Sequence, residues 1–317
     1  MRGNSADLQQ PIPMKSFLVP VALILTLTIS HAGEQRDAEA EKLRMSLEAA
    51  LRGFSKADTF TGETTFTEET TFTNGIGQKM IWVAAGSFRM GDLTGDGEDD
   101  EKSVRTVELS GYHLASTEVT QEQWQKVMGT SLLDQQNKSP ERGGNLRGEG
   151  PDHPIYYVNW NEAIEFCKKL TEIERRAGKL PKGCAYVLPT EAQWEYACRA
   201  GSEGKYAVGD LDAMAWYAEN SEGEAHPVGK KKPNAWGFHD LHGNVWEWCL
   251  DWYQDSYEGL GVRDPTGPDS GSHRVNRGGS WYLSAFYCRA SIRFWYKPDS
   301  RDDDRGFRVA LSSRREP

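Results

Sequence analysis

Asn234-Ala-Trp-Gly-Phe-His-Asp-Leu-His-Gly-Asn-Val-Trp-Glu-Trp248 is the stretch on which the reading of this chain turns. Turn-forming glycine, asparagine and aspartate alternate with large aromatic rings, a mixture that suits irregular loops pinned by tryptophans. The same mixture returns in Arg277-Gly-Gly-Ser-Trp281 and Arg305-Gly-Phe-Arg308. Helix signals stop after Ala200, so the half of the chain beyond it is expected to be long loops.

Composition agrees with a loop-rich fold and an aromatic core. The 317 residues include 32 glycines and 11 tryptophans, unlike a helical bundle. A formal net charge of -10, with basic residues only in short runs such as Lys230-Lys231-Lys232, opposes binding to a phosphate backbone. Nucleic acid is therefore excluded as a partner.

The N-terminus reads as an export signal over residues 1–32. Met14-Lys15 is an alternative start, residues 17–29 form an apolar run, and Ser30-His31-Ala32 supplies a small-residue cleavage site. That run is shorter than the roughly 20 residues a membrane span needs, so no span is expected after cleavage. The expected destination is the periplasm, the cell exterior or a secretory-pathway lumen. Disulfides persist there, and Cys167, Cys184, Cys198, Cys249 and Cys288 allow at most two, with a thiol left over. None stands in a Cys-x-x-Cys pair, which removes thioredoxin-like and zinc-knuckle readings.

Residues 33–57 carry Leu43, Leu47, Leu51 and Phe54 at near-helical spacing among charges, a short amphipathic segment. Residues 58–72 contain the hexapeptide repeat Thr61-Gly-Glu-Thr-Thr-Phe66 and Thr67-Glu-Glu-Thr-Thr-Phe72, a low-complexity linker. The folded domain is expected over 73–312, leaving 313–317 as a tail. Ile81-Trp82-Val83-Ala84, turned by Gly86-Ser87 toward Phe88-Arg89-Met90, predicts a hairpin. Residues 92–101 are acidic, but an EF-hand loop counted from Asp92 would need glutamate where Ser103 stands, so a solvated acidic loop is expected.

Three helices are announced by their caps: Thr120-Gln-Glu-Gln123, Thr190-Glu-Ala-Gln193 and the variant Asn159-Trp-Asn-Glu162. Behind Asn159, Ala163, Ile164, Cys167 and Leu170 share one face, which makes Cys167 a small core residue; Cys198 reads the same way.

Eight motifs occur in a familiar order: Phe72-Thr-Asn-Gly-Ile-Gly77, Ala85-Gly-Ser-Phe-Arg-Met-Gly91, Glu118-Val-Thr-Gln-Glu-Gln-Trp124, Pro154-Ile-Tyr-Tyr-Val-Asn-Trp160, Leu188-Pro-Thr-Glu-Ala-Gln-Trp-Glu-Tyr-Ala197, Gly243-Asn-Val-Trp-Glu-Trp248, Arg277-Gly-Gly-Ser-Trp281 and Gly306-Phe-Arg308. In these the chain resembles the formylglycine-generating enzyme, or sulfatase-modifying factor, family. The resemblance implies an α+β fold with low regular secondary structure, a compact variant of the C-type-lectin-like fold.

Catalytic members of that family oxidise a sulfatase cysteine to formylglycine with oxygen and copper(I) held by two thiolates. Those cysteines follow the serine of Gly-Gly-Ser by three and eight residues, which carries them to Leu283 and Cys288. Leucine has no lone pair for copper, and a single thiolate leaves the ion exposed to loss. Cys249 is the candidate replacement sulfur, and a Cys249 to Cys288 disulfide the preferred account of both. Ser280 matches the catalytic serine and Trp246 the pocket tryptophan, while Ser284 and Asp304 replace a family histidine and asparagine. Arg277, Arg289, Arg293, Arg305 and Arg308 are expected to brace the loops by salt bridges.

The resemblance also implies a structural calcium, carried to Asp240, the carbonyls of Gly243 and Val245, and Glu247. Two carboxylates and backbone carbonyls on one turn are hard oxygen donors that suit Ca²⁺. A second family calcium site would use Asn220 and Ser221, but its downstream acid and aromatic find no match in Ala225-His-Pro-Val228. His239 and His242 are given packing or surface roles. No His-Glu-x-x-His or Gly-x-Ser-x-Gly supports a hydrolase.

Two functions follow. The first is an exported, non-oxidising scaffold binding a protein, a peptide, a sulfatase or a glycan through an arginine- and aromatic-rich C-terminal face. The second is a formylglycine-generating oxidase working through Cys288, Ser280 and Trp246 with copper.

Overall fold

The computed structural model describes residues 71–139, 145–207 and 209–312. The expected signal peptide, the amphipathic segment, the tail and all but the end of the low-complexity linker lie outside them. The strands are β1 (Phe72–Thr73), β2 (Lys79–Val83), β3 (Gly86–Met90), β4 (Arg105–Leu109), β5 (Tyr112–Ala115), β6 (Ala185–Val187), β7 (Trp246–Trp252), β8 (Arg274–Arg277), β9 (Phe294–Tyr296), β10 (Arg305–Gly306) and β11 (Ala310–Ser312). The helices are α1 (Gln121–Met128), α2 (Leu132–Gln136), α3 (Trp160–Arg176) and α4 (Glu191–Arg199). Among the described residues no helix is long and apolar enough to cross a membrane.

All three expected caps form. Thr120 Oγ1 accepts from Gln123 N at 3.2 Å while Gln123 Oε1 accepts from Thr120 N at 3.0 Å. Thr190 with Gln193, and Asn159 with Glu162, close the same reciprocal box ahead of α4 and α3. Each such cap stabilises its helix by about 1 kcal/mol. A fourth, unanticipated box precedes α2, where Ser131 is answered by Asp134. Its third-position residue is an aspartate, outside the Glu/Gln signature that sequence reading searches for.

The apolar face of α3 buries Ala163, Phe166, Cys167 and Leu170 in one core cluster. There Phe166 stacks on Trp124 of α1 at 5.7 Å, and both meet Phe307 edge-on. A second cluster holds Trp194, Ala197 and Cys198 of α4 with Cys249 and Val275. Both cysteines expected in the core, Cys167 and Cys198, are there.

The sheets correct two expectations. A five-stranded antiparallel sheet runs β1-β2-β5-β11-β6, and a separate two-stranded sheet pairs β3 with β4. Thus β2 and β3 exist but form no hairpin, because both edges of β2 are occupied by β1 and β5. The half beyond Ala200 is also more regular than expected. It carries a four-stranded sheet, β10-β7-β8-β9, with β10 parallel to β7. In Trp246–Trp252 most residues are buried whichever way they point, so the strand lacks the alternation that betrays one in sequence.

The acidic loop is solvated at Asp96, Glu98 and Asp99, as expected, and is anchored from within at its two ends. Asp92 is buried and accepts from the backbone N–H groups of Thr94, Gly95 and Gly97, and these bonds hold its carboxyl below the usual range despite burial. Glu101 is fully buried against Arg289 at 2.5 Å.

The C-terminal arginines do brace the loops, from inside. Arg277 joins Glu191 and Glu195 at 2.6 Å each, and Arg293 joins Glu191 at 2.7 Å. Arg277, Arg289, Arg293, Arg305 and Arg308 are all buried, so none of the five supplies the expected arginine-rich outer face.

Candidate functional site

Two tight backbone features place the residues around Gly-Gly-Ser. Gly278 and Gly279 have φ of 101° and 75°, and a Cβ on Gly279 would sit 2.5 Å from the Tyr287 carbonyl, so the chain turns where only glycine fits. The parallel register of β10 against β7 sets Arg305 opposite Trp246, and Trp246 N donates to Asp304 O at 2.8 Å. Ser280 Oγ then donates to Asp304 Oδ2 at 2.8 Å.

These contacts bring Trp246 and Leu283 into the wall of a cavity of about 310 Å³. Tyr282, Tyr287, Phe294 and Tyr296 supply further aromatic surface, and Asp302, Asp303 and Asp304 supply carboxylates. Oxygens of those three acids lie within 4.8 Å of one another. Burial pushes Asp304 up to about 6, against the pull of neighbouring Arg305. A second cavity, about 470 Å³, shares Phe294 and Tyr296 as walls and adds Trp295, Lys297, Asp299 and Arg301. The two make one continuous face, in which Tyr282 is 67% and Trp295 42% exposed.

Cys288 stands behind this face. It ends the 3-10 turn Ala285–Cys288 and packs with Leu211, Met214, Ala215 and Tyr217. It is fully buried, and burial pushes its thiol well above the ordinary range. Cys249 is equally buried in a different cluster, with its thiol pushed up for the same reason. Neither Cys249 nor Cys288 is in a disulfide, so the expected bridge between them is not formed. Copper(I) requires thiolates around a shared opening. Leu283 at the cavity wall offers no donor, and Cys288 is a protonated thiol outside it, so these residues do not fit that ion.

The turn expected to hold calcium is tightly built. Asp240 and Asn244 adopt left-handed φ of 59° and 61°, and Gly243 has φ of 122° with the Trp216 carbonyl 2.2 Å from where a Cβ would stand. Asp240 Oδ2 accepts from Gly229 N at 2.7 Å, while its Oδ1 is buried without a partner. Glu247 is engaged on both oxygens: Arg308 donates to Oε1 and Oε2, and the Trp194 indole to Oε2. The expected quartet, Asp240, Gly243, Val245 and Glu247, does share this turn, but the Glu247 carboxylate is already matched.

Glu118, which sequence reasoning assigned no role, is fully buried with both carboxylate oxygens unpartnered. Burial, reinforced by Asp240, raises its pKa well above the carboxylate range. Burial raises Asp240 as well, opposed by the Gly229 hydrogen bond. The signal that could have found Glu118 is its position between the inward-facing run of β5 and the Thr120 cap, where a carboxylate has no route to water.

The remaining candidates are structural. His242 Nε2 accepts from Ala207 N at 3.1 Å, which leaves Nδ1 to donate to the Cys288 carbonyl at 2.7 Å; burial depresses its pKa to about 4. His239 bonds the Lys231 carbonyl. Asn220 and Ser221 are engaged within their own loop and with the Trp281 carbonyl.

A loop-rich α+β chain whose glycine turns gather tryptophan, tyrosine and acid around one small cavity has the formylglycine-generating enzyme fold. Residues 65–313 match the sulfatase-modifying factor enzyme 1-like domain, and the chain belongs to that family. It is 33% identical over 291 residues to the formylglycine-generating enzyme of Streptomyces coelicolor, covering 73% of this chain and 88% of that one. Among solved structures it is similar to Treponema denticola variable protein 1, with 35% identity, a TM-score of 0.64, and coverage of 76% and 98%. PvdO from Pseudomonas aeruginosa is also similar, with 26% identity, a TM-score of 0.63, and coverage of 77% and 98%.

Proposed function

We propose that this family member is an exported binding scaffold rather than a copper oxidase. One observation carries the reading: Leu283 lines the cavity where the family's first copper thiolate would stand, while Cys288 is sealed in a separate apolar cluster. What remains at the cavity is recognition chemistry. Aromatic faces and carboxylates together suit a cationic side chain, since ring quadrupoles and negative charge both attract it. The adjoining second cavity extends the contact surface with Lys138, Lys297 and Arg301 beside Asp299, which favours a protein or peptide that presents lysine or arginine to the first cavity and an acidic group to the second. Export rests on the residue 1–32 signal.

Two measurements test this. A copper(I)-loaded preparation given a Cys-x-Pro-x-Arg peptide should neither consume oxygen nor form an aldehyde. A lysine- and arginine-containing peptide library should yield binders whose affinity falls on Tyr296→Ala. Conversion of the first peptide to formylglycine would overturn the proposal.

A further inference from the structure

A third cavity, of about 410 Å³, shares no lining residue with the two described above. Val187, Leu188 and Leu250 give it apolar walls, and Trp160 and Trp252 add two indoles. These rings are stacked 6.4 Å apart, and the Arg274 guanidinium sits between them, 3.7 Å from one and 3.4 Å from the other. A guanidinium held between two aromatic faces is attracted by both, and its edges remain for hydrogen bonding.

The sandwich is fixed in place. Trp160 Nε1 donates to the Cys249 carbonyl at 2.9 Å and Arg274 Nη1 to the Leu250 carbonyl at 2.6 Å, which ties it twice to β7. The other edge of Arg274, Nε with Nη2, is unused. Nε is buried without a partner, and among the described residues no carboxylate forms an ion pair with Arg274. Elsewhere in the chain this same edge grips an acid: Arg293 holds Glu191, and Arg308 holds Glu247, through Nε and Nη2 together. Burial pulls Arg274 down to about 10, with Asp251 opposing, so it stays charged at neutral pH. Asp269 also lines the cavity, but it is exposed and forms no ion pair with Arg274. Gln193 completes the donor set, because its Oε1 closes the cap on Thr190 N at 3.0 Å and its amide nitrogen is left for another acceptor.

We propose that this cavity binds a small organic acid, its carboxylate on the Nε–Nη2 edge of Arg274 and its apolar body against Leu188, Leu250 and the indoles. A planar group with two oxygens matches the two parallel N–H groups of that edge. The volume suits a small molecule. The flanking rings hold the guanidinium before any ligand arrives, so little side-chain freedom is lost on binding. A cation is repelled here, which separates this site from the aromatic and acidic cavity at Trp246: the two take ligands of opposite charge.

The test is titration of full-length protein at pH 7.5 with phenylacetate and with octanoate, followed by ligand-observed NMR. Phenylacetamide serves as the uncharged isostere, and a pentapeptide ending in a free phenylalanine carboxylate as the macromolecular alternative. Both small acids should bind at least about tenfold more tightly than the amide. Arg274→Gln should bring phenylacetate down to the affinity of the amide while leaving the amide unchanged, and Arg274→Lys should fall between. Where neither variant folds, the ratio of acid to amide in wild type decides. Equal affinity for acid and amide, no binding of either small acid, or binding of the pentapeptide alone would overturn the proposal. None of these outcomes touches the reading of the Trp246 cavity, whose cationic peptides should bind Arg274→Gln as they bind wild type.

Discussion

Arg308 grips Glu247 with two nitrogens, Nε to Oε2 at 2.7 Å and Nη2 to Oε1 at 2.6 Å, and both side chains are completely buried. The pair links β7 to the segment that leads into β11, and so couples two of the sheets. Removing one partner of such a pair strands the other charge in the interior, at about 3–5 kcal/mol. Glu247→Gln is therefore expected to lower the melting temperature by ~10 °C. The drop that comes from the ion pair should be present with and without EDTA; differential scanning calorimetry in both conditions checks it.

Gly243 is constrained twice, by φ of 122° and by the Trp216 carbonyl 2.2 Å from its would-be Cβ. Since the obstacle is backbone, no side-chain rotation can relieve it. Gly243→Ala should cost at least about 2 kcal/mol, read from the urea midpoint.

His242 should make the protein sensitive to mild acid. Its folded-state pKa is depressed to about 4, so the unfolded chain takes up the proton first as pH falls below about 6.5. Its contribution is then fully present above that pH and is lost progressively down to about 4, amounting to ~3 kcal/mol. The physical reason is burial, which disfavours the charged imidazolium, with nearby Arg199 adding to it against the pull of the Cys288 carbonyl. The stability difference between wild type and His242→Gln should shrink by that amount between pH 7 and pH 4 in denaturant titrations.

Restoring the missing sulfur should not restore oxidation. Leu283→Cys places a thiol on the cavity wall, but Cys288 stays packed against Met214 and Tyr217. Oxygen uptake with copper and a Cys-x-Pro-x-Arg peptide is expected to stay at background in this variant.

Binding of a cationic peptide at the cavity should strengthen as pH rises through about 6. Burial raises Asp304 to that value, so its negative charge is present above it and lost below. Fluorescence titrations between pH 5 and 7.5 should show the step, and Asp304→Asn should flatten it. A neutral glycan ligand would produce no step in either protein.

The helical half was largely legible because its signals are local. The boxes at Thr120, Asn159 and Thr190 contain their own answer within four residues, and each forms as written. Trp246–Trp252 was not legible as a strand, because its partners lie at Arg274–Arg277 and Arg305–Gly306, dozens of residues away, and burial on both faces erased the period. Among the residues placed by motif spacing, Trp246, Leu283 and Asp304 line one cavity, and Ser280 is bonded to Asp304 behind it. Glu118 and the inward turn of the arginines were missed, because sequence reports charge but not which charges share an interior. The expected Cys249 to Cys288 bridge failed for the same reason: each thiol is enclosed by its own apolar cluster.

The strand Ala310–Ser312 lies between β5 and β6, at an inner position of the five-stranded sheet. A chain growing from its N-terminus therefore holds an open slot in its central sheet until nearly every described residue has been made. Closure of that sheet waits on this segment, whatever else has folded before it. Any nonsense change before residue 310 should yield no partial domain, only an unsealed sheet edge exposed to aggregation and proteolysis.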